Sequence, residues 1–450
     1  MKNVELKIAL IPLVRSTYDI EEGKKVFQRQ LNLLKRFEGV RWFAPSQIVE
    51  YVESMTNFLN TLKKESIDGI VLLSATFHLG DLALSVSSEF ENVPIMCWAV
   101  PEPDYRGDRV RLNSLVGAHL DFSNLYRSGR RNVRFIYGTA EDERFIKKFS
   151  RWLNAIRAIK IWRDSKIALI GGHAKSFMNI DVYEPELFKE FKIIVEVLPL
   201  EMVFKHSPSE EEVQKIEEDY KNIYRYDENM DDVRLEKVAR LAATFRSIAQ
   251  TTRSSALAIR CWPEFAMHYG VSPCAAMSYD MASGLITACE GDILGAVTML
   301  TLKAFGCKGM YLSDISQIFE EENALLFWHC GVAPHTLWDG RSERTLDTYF
   351  AGGKGVTVGF VLKPGPVTIA RIDYIKGWSL FLAKGEAIET EKLLKGTYVK
   401  VKVKVSDPIG LVESLVQKGF AHHVVMAYGD WYEDFLELAS MKGWKVHAEI

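Results

Sequence analysis

A run that opens Lys-Ile-Ala-Leu-Ile begins at residue 7 and recurs, identically, at residue 166. Between the two copies, short continuous apolar runs alternate with amphipathic polar stretches. The apolar runs read as strands at 7–14, 69–75, 94–100 and 133–138. Strands that are apolar on both faces and separated by helices build a parallel sheet covered on both sides. The second copy restarts that pattern, so two tandem α/β domains are expected, with Rossmann-like parallel sheets. A length of 450 residues exceeds one ordinary core and agrees with two or three domains.

Within the second domain, strands are expected at 191–199, 255–262 and 285–290, and helices at 234–250 and 292–305. Ser207, Pro208 and Glu210 form a helix-start signal, with Ser207 as cap and Pro208 in the first turn. From about residue 340 the texture changes. Segments 356–362, 366–373, 379–388 and 398–405 are β-rich and broken by Gly and Pro, which predicts an antiparallel barrel-like or sandwich domain. The chain closes with a strand at 419–428 and a helix from Asp430, where Asp430 and Glu433 can form a capping box. The division expected is 1–165, 166–312 and 313–450, the first acidic candidate lying in the middle part and the others in the last.

Composition narrows the function. The 56 basic and 59 acidic residues leave a formal charge of −3, so no electrostatic footprint for nucleic acid exists and a small-molecule partner is expected. The N-terminal run has no long apolar core or small-residue cleavage site, and no apolar stretch reaches the ~20 residues of a membrane span. A cytoplasmic protein is expected. Cysteines 97, 261, 274, 289, 307 and 330 are scattered without a CxxC pair, which predicts reduced, mostly buried thiols and no structural zinc site. Walker, GxGxxG, HExxH and GxSxG signatures are absent, which weighs against nucleotide-dependent enzymes, zincins and serine hydrolases.

Chemistry concentrates in acidic strings that follow apolar strands. Glu290 lies in Ala-Cys-Glu-Gly-Asp at 288–292, and Asp314 in Leu-Ser-Asp-Ile at 312–315. A carboxylate at a strand end points into the crevice where open α/β sheets bind ligands. Asp292 reads first as a helix cap. Glu290 serves equally as a structural ion-pair partner or as a metal or acid–base group, because a buried carboxylate needs a partner. Asp314 is either a turn aspartate or a second functional acid. His422 and His423 alternate on one strand, so one imidazole points inward. Trp328 with His329 could form a sugar-binding wall or a packed aromatic beside a satisfied histidine. Trp262 and Glu264 make a similar strand-end cluster, and Gly171-Gly172-His173 is a weak phosphate-cradle signal.

Taken together, these strings resemble the L-fucose isomerase/L-arabinose isomerase family, on a divergent, fucose-isomerase-like branch. The resemblance is sharpest over residues 289–305, where fucose isomerases place a metal-binding glutamate before a similar helix. It continues through Leu-Ser-Asp-Ile at 312–315, matching their Ala-Asp-Val string, and through Ala-His-His-Val-Val-Met-Ala-Tyr-Gly at 421–429 with Phe-Leu-Glu-Leu-Ala-Ser-Met at 435–441. The motifs span roughly 255–335 and 419–445; residues 1–250 share only the general layout.

The resemblance implies a metal-dependent aldose–ketose isomerase acting on a free sugar of L-fucose or L-arabinose type. Glu290, Asp314 and His423 would bind Mn²⁺ or another divalent cation. Glu290 and Asp314 would also act as base and acid through an ene-diol. Trp262, Glu264, Trp328 and His329 are the expected substrate-binding residues; His329, standing where the family has asparagine, is either a substrate contact or a further metal ligand. A homo-oligomer, hexameric by resemblance, is expected, with residues 112–131 as the segment that reaches a neighbouring subunit. The rivals are a non-catalytic sugar sensor, whose binding needs no metal, and a metal-dependent lyase or aldolase, which splits its substrate.

Overall fold

In the computed structural model, which describes residues 4–105 and 109–449, the chain forms two units. One comprises Met1–Lys160 with Glu433–Gly443, and the other Ile161–Tyr432 with Trp444–Ile450. Among the described residues, no helix is long and apolar enough to cross a membrane.

The first unit holds a five-stranded parallel sheet in the order Val40–Phe43, Leu6–Leu13, Gly69–Ser74, Ile95–Ala99, Val133–Tyr137. Its central strands are buried on both faces, as their unbroken apolar runs demand. Val40–Phe43 is the strand that apolar patterning misses. It is short and sits at the sheet edge, so half its surface stays exposed and its sequence is mixed.

The second unit opens with a four-stranded parallel sheet ordered Ile286–Cys289, Ala256–Ile259, Lys166–Ile170, Ile194–Leu198. Two local expectations differ from what is found. Phe191 ends the helix Glu184–Phe191 rather than starting a strand, because its ring packs edge-on against Trp162 and Trp378. The next long helix, Glu210–Ile223, starts from Ser209 instead of Ser207. Three glutamates then occupy its first turn, where the helix dipole favours them.

The remaining strands form a ten-stranded sheet that is mixed rather than purely antiparallel. Its middle runs Trp378–Ala387, Gly365–Tyr374, His423–Tyr428, Met310–Phe319, Ala324–His329, Thr397–Val403. Lys445–Glu449 joins one edge in parallel with Trp378–Ala387, and Thr357–Val361 pairs in parallel with Thr397–Val403. Parallel pairing needs a long crossover, and the one from Trp378–Ala387 to Lys445–Glu449 carries helices. One is Pro408–Gln417, which β-rich texture alone does not reveal. Asp407 caps it by accepting from Gly410 N at 2.8 Å, and proline occupies its first turn.

Candidate metal and proton-transfer site

Glu290 owes its position to two glycine turns. The buried strand Ile286–Cys289 ends at the sheet, and the chain reverses through Glu290 (φ 62°) and Gly291 (φ 84°) into the helix Ile293–Phe305. A Cβ on Gly291 would lie 2.4 Å from Gly172 O, so only glycine allows the two loops this close. Ala174 N donates to Glu290 O at 2.8 Å and joins the loops. Gly172 and the turn after it therefore seat Glu290.

The Glu290 side chain is nearly enclosed. Trp262 Nε1 donates to Oε1 at 3.2 Å, and Oε2 lies 3.2 Å from His422 Nε2 and 3.5 Å from His423 Nε2. Burial opposes ionisation. The His422 hydrogen bond and the fields of His423 and His329 outweigh it, holding the carboxyl below its ordinary range. Glu290 is thus an ionised carboxylate among imidazoles.

His423 is oriented from behind. Its Nδ1 lies 3.0 Å from Asp292 Oδ2. Asp292 caps the following helix through Oδ1, accepting from Gly295 N at 2.7 Å. It also pairs with the fully buried Arg371. Burial works against its charge, but the guanidinium and the imidazole prevail and depress its pKa strongly. An ionised carboxylate only accepts hydrogen bonds, so His423 Nδ1 carries a proton, and in the neutral ring Nε2 presents its lone pair. Burial lowers the pKa of His423, yet the Asp292 contact more than offsets this and the net shift is upward. Arg371 extends the arrangement: its Nε donates to Asp373 Oδ2 at 3.3 Å, and the same oxygen accepts from Ala421 N at 2.9 Å. That contact fixes the residue leading into His422 and His423.

Asp314 sits inside a strand rather than at the end of one. Within Met310–Phe319 it faces His423 on one neighbouring strand and Trp328 on the other, just before a β-bulge between Ile315 and Gln317. The strand continues past the acid because residues 315–319 pair with Ala324–Phe327 in a hairpin. Asp314 Oδ1 is 3.9 Å from His423 Nε2.

His329 ends the strand Ala324–His329, and Cys330 N donates to its Nδ1 at 2.9 Å. Burial depresses its pKa, so the ring is neutral and its proton lies on Nε2. His329 therefore offers a donor, not a lone pair, from that edge.

These atoms fit a divalent cation. Asp314 Oδ1 and His423 Nε2 are buried and lack a hydrogen-bond partner. A buried polar atom left in this state costs about 1–3 kcal/mol. One atom each of Glu290, His422 and His423 lie within 4.8 Å of one another. Carboxylate oxygens and a neutral imidazole are ligands for a hard or borderline ion.

The other expected residues are placed less uniformly. Trp262 contacts Glu290 directly, and its ring meets Phe177 edge-on at 5.8 Å. The Glu264 carboxylate is taken up by Arg260, in a two-point ion pair with Nε at 2.9 Å. Trp328 packs with Leu326, Val361 and Tyr398, and its indole donates to Lys395 O at 2.8 Å. Motif reading missed Arg371, Phe177 and the second role of Asp292. Phe177 stacks edge-on against His422 at 5.2 Å. A signal for Arg371 was present: an arginine inside the apolar run Val-Thr-Ile-Ala-Arg-Ile has to find a buried acid.

The chain is similar to known sugar isomerases. The family described as L-fucose isomerase, C-terminal domain, matches residues 340–449. A sulfoquinovose isomerase of Priestia aryabhattai is 30% identical over 96% of this chain and 97% of its own length. The sulfoquinovose isomerase of Alkalicoccus urumqiensis is 27% identical over 97% of this chain and 98% of its own. A periplasmic solute-binding protein of Actinobacillus succinogenes 130z with bound D-allose aligns at 11% identity and a TM-score of 0.17 over 67% of this chain and 92% of its own, too weakly to bear on the fold.

Proposed function

This chain belongs to the fucose isomerase-like family of aldose–ketose isomerases, and we propose that it interconverts sulfoquinovose and the corresponding ketose with a divalent cation held by Glu290, Asp314 and His423. The observation that carries the reading is the convergence of unpartnered buried atoms on Asp314 and His423 beside the ionised Glu290. The sulfonated hexose is taken from the near-full-length relatives; a free sugar of L-fucose or L-arabinose type is the alternative within the same chemistry. Mn²⁺ is the proposed ion, because mixed carboxylate and imidazole donors suit it.

The bound cation would polarise the sugar's carbonyl and acidify the adjacent C–H. The chain's own residues do the rest. Glu290, ionised and steadied by Trp262 and His422, takes the proton from C2 of the aldose and returns it to C1. Asp314 moves the proton between the two oxygens as the substrate passes through an ene-diol. His329 donates a hydrogen bond from its Nε2–H to a sugar oxygen, and Trp262 and Phe177 wall the cleft beside Glu290. Asp292 and Arg371 touch neither sugar nor reacting atoms; they hold His423.

A homo-oligomer is part of the proposal. The helix Ser114–Arg127 leaves Leu115, Val116 and Tyr126 about half exposed, which supports residues 112–131 as a surface for another subunit. The additional antiparallel pairing of Trp378–Ala387 with Thr397–Val403 supports a barrel-like closure of the mixed sheet. Incubation with sulfoquinovose, L-fucose and L-arabinose in the presence of Mn²⁺ tests substrate and reaction class together. A ketose of unchanged mass is expected, and fragments of lower mass would point to a lyase instead.

A further inference from the structure

Cysteines that look scattered in sequence meet in space. Cys261 Sγ lies 3.2 Å from Cys289 Sγ, and Cys274 Sγ lies 3.6 Å from Cys330 Sγ. Cys289 Sγ, Cys330 Sγ and a ring nitrogen of His329 all fall within 4.8 Å of one another, and His329 Nδ1 is 3.1 Å from Cys330 Sγ. Each of three thiols is the chain neighbour of a residue in the proposed catalytic cleft: Cys261 of Trp262, Cys289 of Glu290, Cys330 of His329. The same strand ends thus present oxygen and nitrogen atoms in one layer and sulfur in the next.

We propose that Cys289, Cys330 and His329 Nδ1, with Cys261 as the adjacent fourth donor, form a second site for a thiophilic divalent cation such as Zn²⁺ or Cd²⁺, whose occupation inhibits the isomerase. A Zn–S bond of about 2.3 Å lets two sulfurs on one ion sit up to about 4.6 Å apart, so the observed spacing needs only small side-chain shifts. Ligation by the thiolates of Cys289 and Cys330 releases one proton from each, while Cys261 stays a neutral thiol against Cys289. A dication and two thiolates are then neutral together, so little net charge is left buried. Oxidation is the weaker use of these thiols, since Cys261 and Cys289 are 1% exposed and Cys330 5%.

Inhibition follows from shared backbone. Cys289 and Glu290 join through one peptide at a tight turn, so drawing the sulfur onto an ion turns the carboxylate. Coordination at His329 Nδ1 also removes the acceptor of the Cys330 N–H. Inhibition rests on the catalytic assignment of Glu290, whereas thiolate ligation does not, so the two fail separately.

The test is a Cd²⁺ titration of the metal-free protein, read by the near-ultraviolet cadmium–thiolate charge-transfer band. The band should saturate near about one ion per chain. It should be largely lost in Cys289→Ser and in Cys330→Ser, and kept in Cys307→Ser and Asp314→Asn. Absence of the band in the unaltered protein, or its survival in both Cys289→Ser and Cys330→Ser, overturns the site. If either serine variant fails to fold, X-ray absorption of the Cd²⁺-loaded unaltered protein decides: sulfur neighbours support the site, and only oxygen and nitrogen neighbours refute it. Cd²⁺ bound with the full band but without loss of isomerase activity would refute the inhibitory role.

Discussion

Asp292 Oδ2 lies 3.0 Å from His423 Nδ1 across 131 residues of sequence, while the other oxygen of the same carboxylate caps the next helix. One side chain therefore fixes both the helix that follows Glu290 and the imidazole that faces it. A helix start and a ligand orientation cannot drift independently when a single carboxylate sets both. Arg371 completes the arrangement by keeping that carboxylate ionised.

Asp292→Asn separates the two duties. Asparagine caps helices as well as aspartate, so the helix start survives. The charge opposite Arg371 and His423 is lost. Divalent-cation affinity should fall about 10–100-fold, as it does when a partner behind a ligating histidine is removed. Stability should drop by about 3–5 kcal/mol, because Arg371 keeps only Asp373. Calorimetric titration and urea unfolding read the two effects.

The pH dependence of stability carries the same signature. Burial resists the Asp292 charge, but Arg371 and His423 prevail, so its folded pKa lies below the unfolded value of about 3.9. As pH falls, the unfolded chain takes up the proton first. The contribution is therefore complete above about pH 4 and is lost below it, as pH falls towards the folded pKa. Urea unfolding should show the gap between the unaltered protein and Asp292→Asn narrowing as pH drops from about 6 to about 3. A gap that stays constant would contradict the linkage.

Gly291→Ala should strike the loop that seats Glu290. The new methyl would meet Gly172 O at 2.4 Å, and φ of 84° is itself unfavourable for alanine. The backbone strain alone costs about 1–3 kcal/mol. Thermal unfolding should shift down and turnover should fall further than stability, since Glu290 moves with the loop.

His329 distinguishes a donor from a ligand. His329→Leu should reduce kcat/KM by about 100-fold, the scale of losing one hydrogen-bond donor to a developing charge. His329→Gln, which keeps an N–H, should recover part of this. Cation affinity should stay near that of the unaltered protein in both; a fall like that of His423→Ala would make His329 a ligand.

The sequence makes the parallel layers legible because strands buried on both faces must be continuously apolar, as in Gly69–Ser74. It exposes Glu290 for a similar reason, since an acid directly after such a strand stands out. Asp314 is misread as a strand end, because only its pairing partners reveal that the strand continues to Phe319. Pairings of long sequence separation, such as Asp292 with His423 and Arg371, leave no local pattern. The thiol cluster is hidden likewise: Cys261, Cys289 and Cys330 lie on separate segments that become neighbours only in the folded sheets. Trp328 and His329 look alike as cleft residues in sequence, and the structure packs the indole against Leu326 and Tyr398 while the imidazole comes within 5.6 Å of His423.

The central claim is that Glu290, beside a bound cation, moves the substrate's proton. Its most direct test is ketose formation from sulfoquinovose by the Mn²⁺-loaded protein, the chelator-treated protein and Mn²⁺-loaded Glu290→Gln, with mass spectrometry of the product. The expected result is a ketose of unchanged mass from the first alone, with Glu290→Gln folded but reduced at least about 100-fold. Equal ketose formation by Glu290→Gln, or by the chelator-treated protein, would contradict the account.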